Sequence, residues 1–146
     1  MELWGRAGYR NSVLIATFER NKYKPDISFL IMEIVMMEQP QAPTWPDGIA
    51  ARAFIPNQDE QAAYLVDEEA GMDKGYHSPL SYEKWTQRMG MNRKTFDPSA
   101  WFIACAKDEV AGVALNVIGE STNIGWVDHL SVRRAYRNKG IGKALL

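Results

Sequence analysis

The stretch AYRNKGIGKALL, residues 135–146, places two glycines one residue apart, then a lysine and a run of good helix formers. Backbone N–H groups at a helix start have no partner inside the helix, and the helix dipole draws anions towards them. Gly140 and Gly142 lack the side chains that would hold a diphosphate off that backbone. Arg137, Lys139 and Lys143 add positive charge around it. The chemistry that this spacing suits is the gripping of a phosphate or diphosphate. Two known signatures do not fit. A Walker loop needs glycine where Arg137 stands and Ser or Thr where Ala144 stands. A dinucleotide fingerprint needs a third glycine at Leu145, inside a βαβ unit. What is left is Arg-x-x-Gly-x-Gly directly after a strand and before a helix. On its own that pattern also describes an ordinary tight turn.

Other reactive side chains are sparse. His77, in GYHSP, and His129 read as structural or solvated. No histidine and acid share metal-ligand spacing, so no metal is expected. Cys105 is the lone cysteine, sits in WFIACA and reads as a small buried hydrophobe. It excludes a disulfide framework.

The elements that must carry the glycine loop come from the apolar pattern. LWGRAGYR resembles the last turns of a helix stopped by Gly8, and SVLIATF and ISFLIMEIVMM read as two antiparallel strands. QPQAPTWPDG, residues 39–48, is a proline-rich linker that no central strand can cross. IAARAFI is a short strand. Asn57 is placed to cap a helix whose stripe is Ala62, Leu65, Val66 and Ala70, ended by Gly71. Ser81 caps a second helix, YEKWTQRM, with Trp85 and Met89 one turn apart. WFIACA and VAGVALNVI form a hairpin about the turn KDE, and after GESTN the run IGWVDHLSV is a further strand. The order αββ, linker, βαα, βββ and a helix start predicts an α+β sheet protein.

Composition narrows the function. At 146 residues and 46% hydrophobic, the chain can bury a core. All 18 acids lie at or before Asp128, and the five cations after it are Arg133, Arg134, Arg137, Lys139 and Lys143. A basic tail this short and poor in aromatics suits an anion site better than nucleic acid. The N-terminus carries charges where a signal peptide needs an apolar segment, and the greasiest stretch, residues 28–37, holds Glu33 and is too short for a bilayer. The expectation is a soluble, cytoplasmic protein without membrane or nucleic-acid partners.

WVDHLSVRRAYRNKGIGKALL resembles the acetyl-CoA-binding motif of the GNAT superfamily of N-acetyltransferases. There a strand reading hydrophobic-x-Val leads through a basic turn and an Arg/Gln-x-x-Gly-x-Gly/Ala loop into a helix. The resemblance spans Ile124 to Leu146, and the upstream order from Ile49 also suits it. It implies a GNAT-like mixed, mostly antiparallel sheet with flanking helices, incomplete at the C-terminus. It implies acetyl-CoA as acyl donor, with the backbone of Leu130, Ser131 and Val132 pairing with the pantetheine arm. The N–H groups of Asn138, Lys139, Gly140, Ile141, Gly142 and Lys143 would hold the pyrophosphate, with Arg137 beside them. LWGRAGYR and the two runs after it resemble the closing part of such a domain. Residues 1–38 would then end one GNAT-like domain, 39–48 link, and 49–146 form the first two-thirds of another. Tandem GNAT proteins, including those resembling mycothiol synthase, have this layout; the alternative is one permuted domain closed by residues 12–37.

The family's reaction is direct attack of an amine on the thioester, which needs a base for the ammonium proton and an acid for the thiolate. The resemblance sets Trp126 where the family often has a carboxylate base, a departure. Asp128, two residues on and so on the same side of an ideal strand, is the candidate base, and His129 would face the opposite side. The family's acid, a late-helix tyrosine, would lie beyond Leu146, and the matching position of the preceding domain is Trp4. Tyr64, Met72, Tyr76, Tyr82 and Trp85 can line an acceptor pocket or simply the core. Acetyl transfer to a small-molecule amine is the leading reading, with little activity expected of this stretch alone. A non-catalytic module binding CoA or a nucleotide, and a general anion-binding domain, are the alternatives.

Overall fold

Strand and helix boundaries follow that pattern closely from Ile49 onward. The computed structural model describes residues 3–146 apart from positions 4, 27, 76, 95 and 120–123. Trp4, Tyr76 and most of the GESTN turn are therefore outside the described residues. The elements are α1 (Ser12–Arg20), β1 (Ile49–Ala53), α2 (Glu60–Gly71), α3 (Tyr82–Arg88), β2 (Trp101–Ala106), β3 (Glu109–Ile118), β4 (Gly125–Val132) and α4 (Ile141–Leu145). The chain divides into two units, Met1–Pro40 and Gln41–Leu146.

In the second unit the four strands form one antiparallel sheet in the order β1-β2-β3-β4. Only Lys107 and Asp108 separate β2 from β3, and so short a connection makes the pair a hairpin. Alternation sends successive side chains to opposite faces. Trp101 and Ile103 of β2 with Val113 and Leu115 of β3 meet Ala63 and Val66 of α2 and Trp85 of α3. Ala104 and Ala111 meet Ile141 of α4 on the other face, with Val132 and Tyr136 beside them. Gly112 lets α4 in. A Cβ there would stand 3.0 Å from the Ser131 carbonyl oxygen and 3.3 Å from Ile141 Cγ2.

Two local expectations in this unit need correction. Asn57 does not cap α2 through its side chain; it adopts φ +65°, and its backbone N–H reaches Glu60. Asp59 occupies the cap position, but its carboxylate is taken by Arg52, at 2.5 and 2.7 Å, and by the Ile55 amide. The buried face of α2 is Ala63, Val66, Asp67 and Gly71, while Leu65 is 47% exposed. The apolar stripe missed this rotation because one of the inward residues is an acid. Ser81, by contrast, caps α3 as expected, its hydroxyl accepting from the Lys84 amide at 3.3 Å.

The first unit departs further. SVLIATF is the helix α1, not a strand, and no helix precedes Gly8 among the described residues. Local bonds outweigh the β-branched side chains. Asn11 Oδ1 accepts the Leu14 amide at 3.0 Å, and Asn21 closes the far end by donating to the Thr17 carbonyl. The described residues of 28–37 form no strand, and their apolar side chains are exposed, from 64% for Met36 to 90% for Leu30. A strand is stabilised by neighbouring strands, and the described residues of this unit form none.

Candidate functional site

β4 ends at Val132, and a short 3-10 turn, Arg134–Tyr136, leads into the glycine loop. The turn is fixed by acids that the sequence reading did not connect to it. The Arg134 amide donates to Glu69 Oε1 at 2.8 Å, and the Arg134 and Arg137 guanidinium groups converge on Asp73. These hydrogen bonds, Arg134's first, hold the Asp73 carboxyl below its ordinary range. Arg137 also donates through Nε to the Val132 carbonyl at 2.9 Å. Its charge is thus spent on positioning the loop rather than left open beside it. Arg133 pairs with Glu109 at 2.8 Å, and Lys139 Nζ lies 5.2 Å above the Tyr136 ring. Lys143 is exposed and makes no ion pair among the described residues.

The loop backbone is twice left-handed, at Asn138 (φ +61°) and Gly140 (φ +89°). Asparagine tolerates that region and glycine is at home in it. The result is a concave run of amides. Among the described residues, no acceptor is bonded to the N–H groups from Asn138 to Lys143, whereas the next amide, Ala144, returns to the Gly140 carbonyl. A cavity of about 270 Å³ lies against Val132, Tyr136, Arg137, Asn138, Gly140, Ile141 and Gly142. Nothing lies within 4 Å of where a Gly140 Cβ would stand. β4 is also the last strand of the sheet, so its second edge faces no strand among the described residues. The free amides, the cavity and the open edge along Leu130–Val132 fit a diphosphate carrying an extended, amide-containing arm.

The middle of β4 is irregular. Leu115 pairs with His129 but Asn116 pairs with Val127, so Asp128 is the extra residue of a β-bulge. This interrupts the alternation that set Asp128 on the side of Trp126. Its side chain is 57% exposed, and its Oδ2 lies 3.9 Å from His129 Nε2. The two groups expected on opposite faces therefore come close to one another.

Behind them is a centre that no local motif announced. Asp67, on α2 and 8% exposed, accepts His129 Nδ1 at 2.8 and 2.9 Å, Ser131 Oγ at 2.8 Å and Trp85 Nε1 at 2.9 Å. Burial alone would raise this carboxyl. The hydrogen bonds from His129, Trp85 and Ser131 outweigh it and hold the group ionised below its ordinary range. Two of its three partners lie 62 and 64 residues away in the chain, which is why spacing could not reveal it. His77, the other histidine, is a packing residue bonded to Glu68 Oε2 at 3.0 Å. Of the aromatics considered for an acceptor pocket, Trp85 is buried and Tyr64 donates to the Leu80 carbonyl, while Met72 is exposed.

An antiparallel sheet whose last strand bulges, followed by a glycine loop of free amides and a helix, defines a class of α+β fold with an anion-binding loop at its sheet edge. The chain belongs to the Acetyltransferase (GNAT) family, whose model matches residues 51–146. It is 35% identical to a mycothiol acetyltransferase of Streptomyces avermitilis over 125 residues, which are 80% of this chain and 39% of that protein. A GCN5-related N-acetyltransferase from Sphaerobacter thermophilus superposes with a TM-score of 0.72 at 30% identity, covering 94% of this chain and 42% of that one. A GNAT family acetyltransferase from Brucella melitensis, solved with acetyl-CoA, shares the fold at TM-score 0.54 and 21% identity, over 66% of this chain and 62% of that one. The chain spans less than half the length of the curated relatives it matches. No helix among the described residues is long and apolar enough to cross a membrane, and none of their His, Cys, Asp and Glu side chains group as metal ligands.

Proposed function

We propose that residues 49–146 bind acetyl-CoA and serve acetyl transfer to a small-molecule amine, within a longer protein that carries a second domain of the same family. The observation that carries this is the run of unbonded amides from Asn138 to Lys143 beside a cavity and an open strand edge. In this reading those amides hold the pyrophosphate, and the backbone of Leu130, Ser131 and Val132 pairs with the pantetheine arm. Arg137 keeps the loop on Val132 and Asp73. The thioester then lies along β4 with its carbonyl near the bulge, where a freed backbone group can stabilise the oxyanion. Asp128, the exposed carboxylate at that bulge, is placed to hold the incoming ammonium, whose proton passes to a base at the bulge directly or through water.

The curated relatives matched above, mycothiol acetyltransferases by name, support acetyl transfer as the reaction. Their lengths support the longer parent protein. The test is calorimetric titration of the full gene product with acetyl-CoA, followed by turnover against an amine panel. Micromolar binding and CoA release dependent on an amine are expected. Absence of acetyl-CoA binding would remove the proposal, and binding without turnover on any amine would leave a CoA-sensing module instead.

A further inference from the structure

The Asp67 centre is larger than packing requires, and its geometry is directional. His129 gives Nδ1 to a buried carboxylate, which fixes that nitrogen as the donor and leaves Nε2 as the basic one. Nε2 has no hydrogen-bond partner among the described residues, and the side chain is 21% exposed, at the bulge. Its separation of 3.9 Å from Asp128 Oδ2 is too long for a hydrogen bond between the two. An ammonium nitrogen about 2.9 Å from each can bridge them. We infer that the acceptor amine docks between Asp128 and His129, and that His129 Nε2, oriented by Asp67, takes its proton.

This rests on the acetyltransfer reading of the preceding subsection and adds where the proton goes. The ammonium N–H bond breaks and an N–H bond forms on Nε2. The freed lone pair attacks the thioester carbonyl, a C–N bond forms, and the C–S bond breaks with its electrons passing to sulfur. The second proton on the attacking nitrogen passes through water to the thiolate, giving amide and CoA thiol. The imidazolium then returns its proton to solvent past the Asp128 carboxylate. An imidazole is in general a stronger proton acceptor than a carboxylate, by roughly 2.5 pKa units, so the division of labour has a physical basis. Asp128 supplies charge to hold the cation, His129 is the catalytic base, and Asp67 is a positioning residue. The groups facing the imidazole are Asp67 from α2 and Asp128 from β4, both acids. β3 sets Leu115 opposite His129, while the α3 indole of Trp85 and the Ser131 hydroxyl complete the Asp67 shell.

The experiment uses the full gene product, saturating acetyl-CoA and an amine that it turns over. His129→Gln is expected to lower kcat about 100-fold and to abolish the acid-side limb of the kcat/KM profile. Its acetyl-CoA dissociation constant should stay within about threefold of wild type, since the phosphate loop is untouched. Asp67→Asn, which disturbs the tautomer, should lower kcat at least tenfold with little change in the KM for acetyl-CoA. Wild-type kcat and an unaltered acid limb in His129→Gln would overturn the inference, even if Asp67→Asn fails to fold. Removal of the limb by Asp128→Asn alone would return the base role to the carboxylate. Failure of the wild type to bind acetyl-CoA would instead strike the preceding proposal, so the two failures are told apart.

Discussion

Two polar regions lie on either side of β4 and are built on opposite rules. Around Asp67 three donors from two elements, α3 and β4, close on one buried carboxylate. Around Asn138–Lys143, six successive amides have no acceptor among the described residues. Burial explains the difference. A buried polar group without a partner costs about 1–3 kcal/mol, so the inner region must be closed. The loop is mostly exposed, and solvent water can satisfy such amides until an anion displaces it. A closed polar group fixes geometry and an open one is available to a ligand. In the proposed reading the first aims His129 and the second takes up a diphosphate.

The sharpest way to break this contrast is at Asp67. Asp67→Ala leaves the His129, Trp85 and Ser131 donors facing a void, and a loss of about 3–5 kcal/mol in unfolding free energy is expected. Denaturant titration measures it, and a loss below about 1 kcal/mol would mean that the centre is wetter than its burial indicates. The same group sets an acid limit. Because its folded carboxyl is held below the ordinary value, its contribution is complete above about pH 4 and is lost as pH falls through the lowered value. Wild type should therefore lose stability on acidification below about pH 4 more steeply than Asp67→Asn.

The open region is tested next, and the expected effect is on binding. Gly140 sits at φ +89°, where a β-branched side chain is strained. Gly140→Val should weaken acetyl-CoA binding about 100-fold by turning the amides away, with a stability change of about 1–2 kcal/mol. Unchanged affinity would show that the loop amides do not hold the diphosphate.

How much of this was written in the sequence depends on the distance between partners. The glycine loop was legible because its parts are adjacent: Arg137, Gly140 and Gly142 lie within one short turn. The hairpin was legible for the same reason, since Lys107 and Asp108 leave β2 and β3 no other course. Two apolar runs show where legibility stops. WFIACA finds β1 and β3 on either side and becomes a central strand. The run at 28–37 is as apolar, but its described residues form none of the strand expected of it. Strand identity is a property of pairs, and one segment records only half of it. SVLIATF became α1 through Asn11 and Asn21, caps visible in the sequence but outweighed there by β-branched residues. The Asp128 bulge and the Asp67 centre depend on register and on contacts more than sixty residues apart. No periodicity encodes either.

Arg137 anchors the open loop. It ties the loop to the Val132 carbonyl at the end of β4 and to Asp73 beyond α2. Arg137→Ala should weaken acetyl-CoA binding about tenfold by loosening the loop as well as removing charge. Asp73→Asn keeps the arginine but removes its anionic partner, so it separates the two causes. If Asp73→Asn weakens binding as Arg137→Ala does, positioning dominates. If it tightens binding, the freed guanidinium serves the diphosphate better than the native pair allows.

The smallest expected effect is the most discriminating, because Ser131 belongs to both regions at once. Its hydroxyl donates to Asp67 at 2.8 Å, while its backbone lies on the edge assigned to the pantetheine arm. Ser131→Ala removes one of the three donors to Asp67 and leaves the backbone in register. Unfolding free energy should fall by about 1 kcal/mol, the net worth of one such hydrogen bond. Acetyl-CoA affinity should change less than about threefold, because no cofactor contact is assigned to the hydroxyl. Parallel denaturation and calorimetry decide the matter. A large loss of affinity with stability intact would place the hydroxyl in the cofactor groove and erase the boundary between the closed and open regions at this residue.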